Sequence, residues 1–432
     1  VTSAIDVFLR RERRLTKPMH ASGSGRMFTP AFNRLTVYRG CITLAYQILT
    51  VTAGWHIYSL THDVVALGLI GLAEVMPYFL LSLFAGHAVD VLPKKLMALL
   101  GCACYIAISA LMVLMLSSEQ SVMPLTFWIY VAMALAGAAR SLLRPAYSAM
   151  MVRILEREQL AKATAIGTVV FQVALVSGPV IGGMLIAWQD VRLAYLATGV
   201  FALIGVVGLT GLTVRETPPT EALPSVFASI REGLRFVSST QVMLAAMALD
   251  MFAVLFGGAV GVLPAFIHEV LNGSPENLGL LRAMPAAGSV LVGLWLTRRS
   301  IDRHAGKWLM LSVAGFGASI IGFALSNSLL MAAIFLFLSG LFDGVSVVLR
   351  QTILQLVTPQ HMQGRVTAIN GLFIGSSNEI GALESGIAAD LLGLVPSILF
   401  GGSMTLVIVG AAWLLAPQLR ALHMRDLHRA IS

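Results

Sequence analysis

Residues 86–95 read GHAVDVLPKK. Within ten residues the stretch holds a glycine, an aspartate, a proline and two lysines. Runs of roughly twenty mostly apolar residues lie on either side, each the length that crosses the hydrocarbon of a bilayer as a helix. A carboxylate and paired ammonium groups between two such runs mark a turn at a membrane surface.

Working outward, the same alternation recurs along the 432 residues. Apolar segments start near Tyr38, Val65, Leu96, Leu125, Ala161, Ala194, Val242, Leu278, Trp308, Leu329, Val366 and Val395. Charged residues make up 12% of the chain and mean hydropathy is +0.84, whereas soluble domains carry about 25% charge. A chain with half that charge has lipid as its main solvent. The expected fold is therefore an all-α integral membrane protein with twelve transmembrane helices.

The loops alternate in charge. Those after the even-numbered segments carry Lys94 and Lys95, Arg153 and Arg157, Arg215, Arg231 and Arg235, Arg298, Arg299 and Arg303, and Arg365. The intervening loops are short and nearly free of base, with Arg192 the main exception. By the positive-inside rule both termini are cytoplasmic, in a bacterial-type inner membrane. The net charge of +8 then belongs to membrane topology. No aromatic-interleaved basic patch for nucleic acid is present.

This gives five expected regions: a basic cytoplasmic tail over 1–37, a six-helix bundle over 38–213, a cytoplasmic linker over 214–240, a second six-helix bundle over 241–416, and a basic tail over 417–432. The linker includes SVFASIREGLRFV, which sets Phe227, Ile230, Leu234 and Val237 on one helical face beside Arg231, Glu232 and Arg235. That is an amphipathic helix suited to the inner membrane surface.

The two halves repeat. AKATAIG at 161–167 matches GRVTAIN at 364–370, and the same offset brings Gly178 onto Gly381 and Gly183 onto Gly386. Parallel six-helix repeats build two-lobed transporters that alternate access to a midplane site. Two pseudo-symmetric bundles are therefore expected.

Catalytic signatures are missing. There is no phosphate-loop pattern, no Cys/His metal spacing and no Gly-x-Ser-x-Gly elbow. Cys41, Cys102 and Cys104 read as buried small hydrophobes. Neither an enzyme nor a cofactor or metal is expected, and transport energy must come from a gradient.

GHAVDVLPKK also resembles the Gly-x-x-x-Asp-Arg-x-Gly-Arg-Arg signature of the major facilitator superfamily, with Val91 in place of its arginine and Pro93 in place of its glycine. The resemblance implies a conformational latch built from Gly86, Asp90, Lys94 and Lys95, with the lysines holding the loop at the anionic leaflet. RRSIDRHAGK at 298–307 supplies Asp302 and Arg303 at similar spacing in the second half. GPVIGG, Gly178 to Gly183, resembles the pattern Gly-Pro-x-x-Gly-Gly of exporters in that superfamily. There, small residues at Gly178, Gly182 and Gly183 allow close packing and Pro179 allows a bend. Stretches such as GVLPAFIHEVLNGSPENLGLLRAMPAAGS look like the enterobactin-exporter and macrolide-efflux branch. The likeness covers nearly the whole chain after the N-terminal tail.

Charges at membrane depth are costly and normally face a partner or a cavity. Asp250, Asp343, Arg350, Glu379 and Glu384 lie deep, with Glu74, Arg140 and Arg144 nearer segment ends. Asp250 has no base within a turn of its own segment. It is either a proton carrier or an acid hydrogen-bonded to a neighbouring helix. Glu379, flanked by Ser377 and Asn378, ranks next, and Glu384 and His56 are further proton-coupling candidates. Asp343 and Arg350 share a helix face about two turns apart, too far for a direct pair. The repeat sets Asp343 at the position of Arg140, inviting a bridge between halves or a buried pair that only fixes packing. Arg140, Arg144, Asp343, Arg350 and Asn378 are the substrate-cavity candidates. Trp55 and Tyr58, beside His56, read as an aromatic belt.

The expected function is a monomeric secondary transporter in contact with membrane lipids, exporting a small amphipathic molecule, a siderophore or a drug, in exchange for protons. The alternatives are an importer or lipid flippase on the same fold, or a non-transporting sensor or scaffold.

Overall fold

The structure, a computed structural model, describes residues 29–118, 124–214, 226–296, 304–359 and 362–422. The described residues form helices and connecting turns, with no strand among them. The first half of the chain gives α1 (Pro30–Thr61), α2 (Val64–Val91), α3 (Lys94–Ser117), α4 (Leu125–Ile154), α5 (Arg157–Trp188) and α6 (Val191–Thr210). A surface helix α7 (Val226–Ser239) follows. The second half gives α8 (Gln241–Phe256), the short α9 (Leu263–Glu269), α10 (Pro275–Leu296), α11 (Ala305–Ala324), α12 (Leu329–Val357), α13 (Gln363–Leu392), α14 (Leu394–Leu415) and the four-residue α15 (Pro417–Arg420).

Every apolar segment read from the sequence is a helix. Among the described residues nine helices are long and apolar enough to cross a membrane, or ten if the 101° bent pair 231–239 and 241–256 is one span. Two boundaries differ from expectation. The first helix begins at Pro30, not near Tyr38, because Thr29 caps it by accepting a hydrogen bond from the Phe32 amide at 3.2 Å and Phe32 and Leu35 are buried. The tail expected from residue 417 begins as α15, which buries Leu419 and, just beyond it, Leu422. On α7, Val237 is buried while Leu234, Arg231 and Arg235 are exposed. Residues 1–28, 215–225 and 423–432 of the expected tails and linker lie outside the described residues.

Within the first half, α1 packs on α4, α5 and α6, and α2 and α3 pack on α4. Within the second, α8 packs on α13 and α14, and α12 on α10 and α11. The halves meet through α5 against α10 and α2 against α13.

Glycines make the repeat visible. Gly178 of α5 lies against Gln47 of α1, while Gly381 of α13 lies against the Leu255 backbone of α8. Gly183 of α5 meets α10, where an added Cβ would come within 3.0 Å of the Gly279 backbone. Gly386 of α13 meets α2, where a Cβ would lie 3.3 Å from the Gly68 backbone. Residues related by one sequence offset thus make equivalent contacts, one set within a half and one set between halves. Pro179 sits inside α5, which runs unbroken from Arg157 to Trp188.

The cross-half contacts at Gly183 and Gly386 lie toward one end of the molecule. This end carries the short connections at 62–63, 189–190 and 393 and is called the short-loop end. The opposite, basic-loop end carries 92–93, 155–156 and 211–214.

Candidate functional site

Two buried acid–base clusters stand out, one in each half. The first starts at Gly137, where α4 comes so close to α2 that a Cβ would strike the Glu74 carbonyl. One turn further along α4, Arg140 reaches Glu74 on α2 and forms an ion pair. Tyr46 on α1 donates a hydrogen bond to the same Glu74 oxygen at 2.8 Å, and Arg140 donates to the Tyr46 hydroxyl at 2.5 Å. The guanidinium also lies 4.5 Å from the ring centroid of Tyr78. The Glu74 side chain is 4% exposed and that of Arg140 is 26% exposed. One carboxylate therefore ties three helices together, and its cationic partner stays accessible.

The second cluster is sealed. Arg350 of α12 pairs with Asp250 of α8, their side chains 2% and 7% exposed. Asp250, with no base within a turn of its own segment, takes its base from another helix. One expectation is corrected. Arg140 is partnered within its own half by Glu74, so it is not paired with Asp343 across the halves. Arg350 does find its partner across helices, as expected, since Asp343 on its own helix is out of reach. Asp343 is half-buried on α12, and among the described residues it makes no hydrogen bond or ion pair.

The remaining candidates scatter. His56 is buried and shares a hydrogen bond with the Tyr195 hydroxyl of α6 at 3.1 Å. Glu384 is half-buried and Arg144 exposed. Asn378 is exposed and spends its amide donor on the Ile374 carbonyl of its own helix at 2.9 Å. The side chain of Glu379 lies outside the described residues, as do that of Asp90 and the whole of Asp302 and Arg303. Gly86 and Asp90 fall in the last turns of α2.

The lysines of the turn do not act as expected. Lys94 is buried. Lys95 donates to the carbonyls of Thr210 at 3.1 Å and Leu212 at 3.0 Å. Those carbonyls lie at the end of α6, where helical partners run out and the helix dipole favours a cation. The lysine is therefore a cap on a neighbouring helix and is not free to hold the loop at the leaflet.

At the short-loop end Tyr58 does not sit in an aromatic belt. Its hydroxyl donates to Glu269 of α9, and its ring packs with those of His62 and His268 at 5.8 Å each. This adds a polar tie between the halves. Beside it a cleft of about 600 Å³ is lined by Trp55, His56, Gln189, Asp190 and Glu276. Among the described residues no set of three His, Cys, Asp or Glu side chains could hold a metal ion.

Sequence reading placed Glu74 near a helix end and gave it no role. Tyr46 and Tyr78 were missed. The available signal was a lone acid in an apolar segment, which asks for a partner.

The sequence profile of the Major Facilitator Superfamily matches residues 35–382 and 251–426. The chain is 28% identical over 393 residues to the enterobactin exporter EntS of Escherichia coli O81, covering 89% of this chain and 91% of that protein. It is 27% identical over 272 residues to the multidrug efflux pump Tap of Mycolicibacterium fortuitum, covering 61% of this chain and 65% of the pump. Among solved structures, it resembles a bacterial homolog of the human lysosomal transporter Spinster in an inward-facing conformation, with TM-score 0.70 at 15% identity, over 92% of this chain and 98% of that one. A POT family transporter in complex with 5-aminolevulinic acid gives TM-score 0.71 at 11% identity, over 90% and 96%.

Proposed function

The chain belongs to the Major Facilitator Superfamily, and from that premise we propose that this multi-pass membrane transporter exports a small amphipathic molecule in exchange for protons. Twelve spanning helices in two six-helix bundles rock about a midplane site, without catalysis and without a cofactor. The protein acts as a monomer in a bacterial inner membrane with both termini inside. On that orientation the basic-loop end faces the cytoplasm, and the contacts at Gly183, Gly386 and Tyr58 close the outer end. The names of relatives, an enterobactin exporter and a multidrug pump, support export of a siderophore or a drug.

The observation that carries the coupling is the contrast in access between the two ion pairs. A proton carrier must exchange with water and must change the structure when it does. The Glu74 carboxyl is itself 4% exposed, and its access to water runs through Arg140, 26% exposed, whereas the partner of Asp250 is sealed. A proton on Glu74 cancels the charge that ties α1, α2 and α4 together. Helix α2 also packs on α13 of the second half, so loosening it acts on the interface that has to open. Asp250 is held by a sealed arginine, and its role is to fasten α8 to α12. Asp343 and Glu384, both half-buried, are the next candidates in the second half, with Glu379 kept from the sequence reading.

The test is proton release from everted membrane vesicles acidified inside, as siderophores and cationic or macrolide drugs are added. Wild type releases protons with a substrate, and Glu74→Gln does not. Release by both proteins moves the carrier away from Glu74. No release by well-folded wild type with any compound overturns proton exchange for these classes.

A further inference from the structure

A third cluster lies toward the basic-loop end of the first half, and of its residues only Arg144 is a sequence candidate. The guanidinium of Arg39 on α1 sits 4.6 Å from the ring centroid of Tyr147 on α4 and 4.7 Å from that of Phe171 on α5. Arg144 is three residues before Tyr147, on the same face of α4, and lies close enough to Arg39 to repel it. Arg140 is a further turn away on that face. Among the described residues neither Arg39 nor Arg144 has an acidic partner, and Arg140 already has Glu74. Among the described residues these two positive charges therefore have no acid to balance them, only the ring faces on Arg39.

The hydrogen bonding is also incomplete. The Nε of Arg39 and the hydroxyl of Tyr147 are buried and have no hydrogen-bond partner among the described residues. Tyr147 is more than nine-tenths buried, with its hydroxyl against Gly167 of α5. Buried donors without acceptors are rare in folded proteins and point to a missing partner. Arg144 is exposed, so the cluster is open on one side. Unmet donors, uncompensated positive charge and one open side describe a site for a negatively charged acceptor.

We propose that Arg39, Arg144 and Tyr147, between α1, α4 and α5, bind an organic anion, with a carboxylate or phenolate oxygen accepting from Arg39 and Tyr147 and its charge balanced by Arg144. This rests on the transport reading and adds the sign of the substrate's charge. Sending an anion out while a proton comes in moves two charges in the same electrical sense, so the membrane potential drives the cycle along with the proton gradient. Exchange of a singly charged cation for one proton moves no net charge.

The experiment is calorimetric titration of the purified full chain in lipid nanodiscs with salicylate, and with benzyltrimethylammonium as a cation of similar size. Wild type binds salicylate saturably and prefers it to the ammonium. Arg39→Gln and Arg144→Gln each weaken salicylate at least about tenfold, the loss of one charge-assisted hydrogen bond or ion pair. Arg144→Lys keeps most of the affinity. Because Arg144 is exposed, Arg144→Gln melts with wild type, which separates lost binding from lost folding. Preference for the ammonium, no binding of salicylate by wild type, or equal affinity in wild type and both glutamine variants overturns the proposal. Binding is read at equilibrium without a gradient. Intact binding with no proton-linked transport therefore sinks the transport reading and leaves the anion site standing.

Discussion

Glu74–Arg140 and Asp250–Arg350 use the same chemistry, one carboxylate and one guanidinium, in opposite settings. In the first half the arginine is 26% exposed and a tyrosine shares the carboxylate. In the second half both side chains are nearly sealed. A sealed pair must keep both charges or lose stability, because its desolvation cost is already met only by the partner. A pair with one wet member tolerates a change of charge, because water can take over the partner's role. Accessibility, more than residue type, separates a fastening from a switch.

Breaking the sealed pair should have the largest effect. Asp250→Asn leaves the charge of Arg350 buried and should destabilise the protein by about 3–5 kcal/mol, read as a lower unfolding midpoint in detergent or nanodiscs. Replacing both residues together, Asp250→Leu with Arg350→Met, should restore most of that loss. A single variant as stable as wild type would remove the distinction between the clusters.

Glu74→Gln should cost less, about 1.5–3 kcal/mol, the usual worth of hydrogen bonds to a charged group. It should nevertheless abolish proton exchange, where Asp250→Asn, corrected for the amount of folded protein, retains it. That crossing of stability and coupling effects is the sharpest form of the comparison.

The two interfaces between halves can be compared in the same way. Gly183→Val pushes α5 from α10, and Gly386→Val pushes α13 from α2. Each should cost about 1–3 kcal/mol through overpacking and should open the short-loop end, read as a longer distance between spin labels at the exposed positions 60 and 272. Equal shifts would show the repeat to be mechanically symmetric. A shift from one variant only would show that a single interface governs closure.

The smallest change is expected at Lys95→Ala. It removes two hydrogen bonds from a half-buried lysine to the end of α6 and should cost about 0.5–1.5 kcal/mol, measured by thermal unfolding. A much larger loss would return the turn to its role as a latch.

The helices were legible in the sequence because a membrane demands long apolar runs, and each run declares itself locally. Alternating basic loops and the paired glycines gave the repeat for the same reason. Partners across helices were not legible. Asp250 looks solitary along its own segment, and its arginine is a hundred residues away at position 350. Arg140 was drawn to Asp343 by the repeat, yet Gly137 lets α4 sit directly on α2 and brings Glu74 nearer. Arg39 stands one residue inside the expected start of the first helix at Tyr38, where nothing in the local sequence shows which helices lie beside it. The capped start at Thr29 sets it nine residues inside α1. Lys95 looked like a membrane anchor because nothing in its loop shows that the end of α6 lies beside it.

The most direct test of the account is infrared difference spectroscopy of the purified protein in nanodiscs, following the protonated-carboxyl band as pH is lowered. The account predicts that a band in wild type disappears in Glu74→Gln and persists in Asp250→Asn. A band that persists in Glu74→Gln and disappears in Asp250→Asn would contradict it, making the sealed acid the one that takes the proton.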